Sequence, residues 1–177
     1  VSMLLGKGDG TFDRKDVHVG IVPIAMAKAD FNADTNEDLA VANQGSGDIS
    51  VLLGDGQGGF SGSNVGITPK ARGSPDSLTA IVAADFDHQN GLDLAVVDQL
   101  SNTVWVFLNN GDGSFSQEPK AFEVGPWPTS IVASDLDDDG NQDLVVVNSG
   151  SADAGISLLF NDGQGNFSET KLKVGQA

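Results

Sequence analysis

Short apolar runs separated by polar, glycine-rich breaks cover the chain, and four kinds of run follow one another in a fixed order. The first kind is small and apolar, at Met26–Ala29, Ile81–Ala84 and Ile131–Ser134. The second follows an acidic break, at Leu39–Ala42, Leu94–Val97 and Leu144–Val147. Apolar stretches of this length, with Lys28 alone among small residues in the first, predict strands covered on both faces. A third run, of the Ile49–Leu53 type, closes on a glycine-rich turn whose glycines admit positive φ. The fourth alternates: from Phe167 to Val174, Leu172 and Val174 lie opposite Lys171 and Lys173, the period-two pattern of an exposed edge strand. Helical periodicity is absent throughout.

The runs recur as a block. The segments "VSMLLGKGDGTF" (1–12), "ISVLLGDGQGGF" (49–60), "VWVFLNNGDGSF" (104–115) and "ISLLFNDGQGNF" (156–167) align without a gap. So do "DFNADTNEDLAVAN" (30–43), "DFDHQNGLDLAVVD" (85–98) and "DLDDDGNQDLVVVN" (135–148). A spacing of 48 to 55 residues with four strands per unit predicts an all-β fold of β-propeller blades. The array is expected to read as the end of a truncated blade over 1–20 and blades over 21–66, 67–125 and 126–175. A ring needs roughly four to eight blades, so a partial array of a longer propeller is expected.

Composition narrows the functions available to such a fold. A net charge of −16 without a Lys/Arg cluster disfavours nucleic acid and anionic membrane surfaces, because nothing displaces the counterions of phosphate. The absence of cysteine excludes disulfides, thiolate metal sites and cysteine nucleophiles. No apolar run approaches the roughly 18 residues of a membrane helix, so membrane insertion is not expected. Twelve of the 25 acidic residues lie in the three acidic breaks, so much of the charge is local. In Asp135–Leu144 five carboxylates share ten residues between apolar strands; their mutual repulsion favours a resident cation.

The three Asp-x-[Asp/Asn] loops that run into Asp-Leu, together with the glycine-rich turns that end in Phe, resemble the FG-GAP/VCBS repeat family. Its members include the blades of integrin α-subunit propellers and of many secreted bacterial and fungal proteins. The resemblance implies a calcium-binding propeller, usually of seven blades, outside the cell or at its surface. It also implies cation ligands at loop positions 1, 3, 5, 7 (through the backbone carbonyl) and 9. These positions hold Asp30, Asn32, Asp34, Asn36 and Asp38 in loop one, and Asp85, Asp87, Gln89, Gly91 and Asp93 in loop two. In loop three they hold Asp135, Asp137, Asp139, Asn141 and Asp143. Up to three Ca²⁺ ions are expected. Loop two binds most weakly because Gln89 replaces a carboxylate, and loop one has Thr35 where the turn ordinarily uses glycine. An EF-hand is excluded: position 12 is Val41, Val96 or Val146 rather than a bidentate Glu.

No Gly-x-Ser-x-Gly elbow and no Ser-His-Asp set appears, and no acid/base pair clusters outside the acidic loops, so the chain is not expected to be an enzyme. His18 and His88 lack an evident partner in sequence; Lys28 is expected beside Asp30, Trp105 in packing, and Trp127 in packing or ligand contact. The leading function is a scaffold or adhesion/recognition module. The alternatives are the propeller portion of a secreted polysaccharide-active enzyme, or a structural repeat that assembles head-to-tail through open blade edges. The partner is expected to be a protein or carbohydrate surface on the face opposite the acidic loops. There Asn43–Ser46, Asp98–Asn102, Asn148–Ser151 and the links containing Pro69–Pro75 and Trp127 gather.

Overall fold

The computed structural model describes residues 1–61, 77–150 and 155–173, and every element in them is a strand. A hairpin of β1 (Ser2–Gly6) and β2 (Phe12–Asp16) comes first. Three antiparallel four-stranded meanders follow. Blade one is β3 (Pro23–Ala29), β4 (Asp38–Asn43), β5 (Asp48–Gly54) and β6 (Phe60–Ser61). Blade two is β7 (Leu78–Ala84), β8 (Asp93–Asp98), β9 (Thr103–Phe107) and β10 (Lys120–Glu123). Blade three is β11 (Pro128–Ser134), β12 (Asp143–Asn148), β13 (Gly155–Asn161) and β14 (Phe167–Lys173). The first strands of the blades lie side by side, β3 against β7 and β7 against β11, as in an arc of propeller blades around an axis. The Pro69–Pro75 link, Ser151 and residues 174–177 lie outside the described residues.

Two apolar layers hold the blades together. Leu94 and Val96 of β8 face blade one, where they meet Phe31, Ala40, Ala42, Ile49 and Val51. Ala95 and Val97, on the other face of the same strand, meet Ile131, Leu144, Val146 and Leu159 of blade three. A strand whose successive side chains enter two different cores must be apolar at every position, which is why β8 shows no alternation; the same expectation fails in β12, where Val146 is buried but Val147 is 45% exposed because no described blade lies beyond it. Aromatic pairs lock the same interfaces. Phe31 meets Phe115 of the next blade edge-on at 5.5 Å, and Phe86 meets Phe167 likewise at 5.5 Å. Trp105 packs against the blade one–blade two layer, and its indole N–H is buried without an acceptor among the described residues.

Coverage on both faces, expected for the first strands too, holds for β7 but not for its neighbours. In β3, Ile24, Met26 and Lys28 are exposed while Ala29 is buried; in β11, Thr129, Ser130, Val132 and Ser134 are exposed. The middle blade is flanked on both sides, whereas β3 and β11 each have one described neighbour of that kind. Each first strand also begins three residues earlier than its apolar run, after a register shift between Pro23 and Ala25, Leu78 and Ala80, or Pro128 and Ser130. The irregularity in pairing thus falls at the same point in each blade.

Candidate metal centre

Each acidic loop winds around its first carboxylate. Asp30 Oδ1 accepts the backbone N–H of Asn32 and Asp34, and its Oδ2 accepts that of Thr35 at 2.8 Å. Asp135 repeats this with Asp139 and Gly140, while Asp85 Oδ1 accepts the N–H of His88 at 2.7 Å. Short Asp and Asn side chains suit this work because they reach their own backbone two to five residues on. The winding requires left-handed backbone at position 4 (Ala33, His88, Asp138) and at position 6 (Thr35, Asn90, Gly140). Thr35, at φ 71°, is the β-branched residue among them. Thr35→Gly is therefore expected to stabilise the chain by about 1 kcal/mol, once relief of strain is set against the greater entropy of unfolded glycine. Urea denaturation measures it, and a loss of stability would contradict the strain.

The loops bring carboxylates of distant positions together. Oxygens of Asp85, Asp87 and Asp93 lie within 4.8 Å of one another, and so do those of Asp135, Asp137 and Asp143. Among the described residues these two trios, positions 1, 3 and 9 of loops two and three, could each hold a metal ion. Loss of solvent, followed by repulsion from Asp139, Asp143 and Asp135, raises the Asp137 pKa above its ordinary value. A donor set made wholly of carboxylate, amide and carbonyl oxygen, without imidazole or thiolate, fits a hard cation.

Position 9 carries a second task that the spacing alone does not reveal. Asp93 Oδ2 accepts Phe86 N–H at 2.8 Å and Oδ1 accepts Asn109 N–H at 2.8 Å, which ties the start of its loop to the end of the third strand. Asp38 does the same with Phe31 and Gly54, and Asp143 with Leu136 and Asn161. All three are buried. Burial outweighs these bonds and raises Asp38; it pushes Asp93, with Asp87 and Asp85 nearby, up to about 6. Because the folded value exceeds the ordinary 3.8, protonated Asp93 favours the fold most below about pH 4, and this contribution is lost as pH rises through about 6. A carbon-13 carboxyl titration in cation-free buffer is expected to place the Asp93 midpoint near 6; a midpoint near 4 would contradict its burial.

The remaining expected ligands are placed less uniformly. Asp34 is held by Asn36 N–H and the Asn32 amide, which lower its pKa. Asp139 accepts both the N–H and the side-chain amide of Asn141 at 2.8 Å. Asn141 Oδ1 lies 2.9 Å from His88 Nε2, so a residue of loop two touches loop three. Gln89 and Gly91 are exposed. Lys28 pairs with Glu37 at 3.0 Å rather than with Asp30, whose two carboxylate oxygens are taken up by the loop N–H groups of Asn32, Asp34 and Thr35. Asn43 and Asn148, expected among adaptable surface groups, are buried against the hydroxyls of Ser50 and Ser157.

A family model for the FG-GAP-like repeat matches residues 30–96 and again 85–146. The chain belongs to the FG-GAP-like repeat family. The two matches overlap across the acidic loop of blade two, so the family's repeat runs from one acidic loop into the next and crosses a blade boundary. No curated protein sequence matches this FG-GAP-like chain. Among solved structures it is similar to an Agrocybe aegerita lectin whose structure describes specific recognition of non-reducing terminal N-acetylglucosamine. The identity is 23% and the TM-score 0.63; the match covers 97% of this chain and 46% of the lectin. This FG-GAP-like chain thus spans less than half the length of the lectin, and the likeness is one of fold.

Proposed function

We propose that this chain is a calcium-binding propeller segment that acts outside the cell as a recognition module, binding rather than transforming its partner. The observation that carries the calcium reading is the convergence of three carboxylates in each of two loops whose other expected donors are also oxygens. Membership of the FG-GAP-like repeat family supports it. Asp85, Asp87 and Asp93, with Gln89 and Gly91, would hold one ion; Asp135, Asp137 and Asp143, with Asp139 and Asn141, a second; and Asp30, Asn32, Asp34, Asn36 and Asp38 a third. The ion would supply charge neutralisation and stiffness to loops that otherwise crowd like charges.

The partner surface is assigned to the opposite end of the blades. The acidic loops and the Asp-Gly turns share one end, where Gly113 N–H donates to Phe31 O at 3.0 Å. The links before β3 and β11 and the loops after β4 and β12 share the other, where Gln44 N–H donates to Val22 O and Ser149 N–H to Trp127 O. This second end exposes Ile21, Val22, Leu100 and Trp127, the last at 54%. Trp127 is fixed rather than loose: its N–H donates to Asn102 Oδ1 at 2.9 Å and its carbonyl accepts the Ser149 hydroxyl at 3.0 Å. An exposed ring on a rigid backbone among Gln, Asn and Ser suits a sugar ring, and the fold shared with a lectin supports carbohydrate as the first class to test. On a glycan array in calcium, the chain is expected to bind a defined glycan, and Trp127→Ala to weaken it at least tenfold without change in melting temperature. Binding indifferent to Trp127 but sensitive to the Asp-Gly turns would refute this placement.

A further inference from the structure

Two buried asparagines, Asn161 at the end of β13 and Asn109 just past the end of β9, join neighbouring acidic loops. Asn161 Nδ2 donates to Gln142 O, in the loop of its own blade, and to Phe86 O, in the loop of the preceding blade, both at 3.0 Å. Its Oδ1 accepts Gly163 N–H at 3.1 Å, and its backbone N–H donates to Asp143 Oδ1 at 2.8 Å. Asn109 repeats the pattern: Nδ2 to Leu92 O at 2.9 Å and to Phe31 O at 3.0 Å, Oδ1 from Gly111 N–H at 2.7 Å, and N–H to Asp93 Oδ1 at 2.8 Å. Both donors and the acceptor of each amide are engaged, so neither side chain can turn without leaving a buried group unpaired.

The carbonyls that these amides grip are not expected ligands, but each lies between two of them. Phe31 and Phe86 occupy position 2, between ligand positions 1 and 3; Leu92 and Gln142 occupy position 8, between positions 7 and 9. The connections therefore run without a break from loop one through Asn109 to loop two, and through Asn161 to loop three. Blade one supplies a contrast within the same molecule. Gly54 stands where Asn109 and Asn161 stand, gives the backbone bond to Asp38 Oδ1 at 2.7 Å, and has no amide to donate. A Cβ there would press on Glu37 O, the counterpart of Leu92 O and Gln142 O.

We propose that Asn109 and Asn161 are coupling residues that transmit cation occupancy of one acidic loop to the loop of the adjoining blade, so that calcium binds the array cooperatively. The inference rests on the calcium reading above. A loop that closes on an ion fixes its position 8 carbonyl, hence the asparagine, hence the position 2 carbonyl of the preceding blade's loop. The second ion then meets donors already partly ordered.

The test follows loop two by the amide signals of Asp87 and His88 in a calcium titration, with loop three intact or disabled by Asp137→Ala. Disabling loop three is expected to weaken calcium binding at loop two about fivefold. In Asn161→Gly, which copies the natural Gly54, loop two is expected to start weaker and to show no further change on Asp137→Ala. Asn161→Ala is the parallel variant, so that the comparison does not hang on one folded protein. An equal response with and without Asn161 would mean that charge alone links the loops, and would overturn the proposal while leaving the calcium reading intact. So would a loop two indifferent to loop three in the unsubstituted chain. Failure of the unsubstituted chain to bind calcium would overturn both.

Discussion

Calcium at about 100 times its Kd is expected to raise the melting temperature by about 5–10 °C for each loop it occupies, and a chelator to reverse the rise. The size follows from linkage: an ion that binds the folded chain alone at that excess contributes about 2.7 kcal/mol per site, and a domain of this length gains about 2–4 °C per kcal/mol. Modules that work in extracellular fluid often have Kd near 10⁻⁴–10⁻³ M, so about 10 mM calcium suffices for a site at the tight end of that range. The unfolded chain contributes little competing affinity, because the 1-3-9 carboxylate trio is assembled only by the folded loop. Scanning calorimetry with calcium, with magnesium and with chelator measures the effect. A melting temperature unmoved by calcium would remove the cation from the account of these loops.

Replacing Phe86 by alanine is expected to cost about 3–5 kcal/mol whether or not calcium is present. Its ring is fully buried in the layer between blades two and three and meets Phe167 edge-on, so truncation leaves a cavity that two sheets must collapse to fill. The backbone of the same residue is engaged twice, N–H to Asp93 and carbonyl to Asn161, which resists such collapse. Chemical denaturation reads the loss directly. A cost below about 1 kcal/mol would mean that the interface is looser than its packing implies.

Most of the architecture was legible because the repeat is written in local terms. Strand type, acidic loop and glycine turn each occupy a few consecutive residues, and three or four aligned copies remove the ambiguity that a single copy would leave. What escaped depends on neighbours in space. Whether the first strand of a blade is covered depends on the blade beside it, so β7 and β11 differ although Ile81–Ala84 and Ile131–Ser134 look alike. His88 and Asn141 meet across 53 residues, and Asn161 reaches Phe86 across 75. No periodicity within one unit could announce either contact. The burial of Asn43 and Asn148 was missed for a related reason: a serine on the neighbouring strand hydrogen-bonds each amide and draws a residue that reads as loop surface into the interior, although Asn43 Oδ1 finds no partner among the described residues. The recurring Asn before the turn in "FLNNGDG" and "LFNDGQG", set against Gly in the other two copies, was the available sign of the inter-blade bonds.

Because Phe31, Phe86, Asn109 and Asn161 each make a contact with the blade next door, the thermodynamic unit is not the blade but the junction between two blades. A single excised blade would expose an aromatic ring and an unmatched carbonyl on one side and an unmatched amide on the other. Stability should then accrue per junction, as in a one-dimensional lattice with nearest-neighbour terms, with melting that passes from one junction to the next. Blade two, whose β8 enters both apolar layers, would be the last to lose its amide protons to exchange.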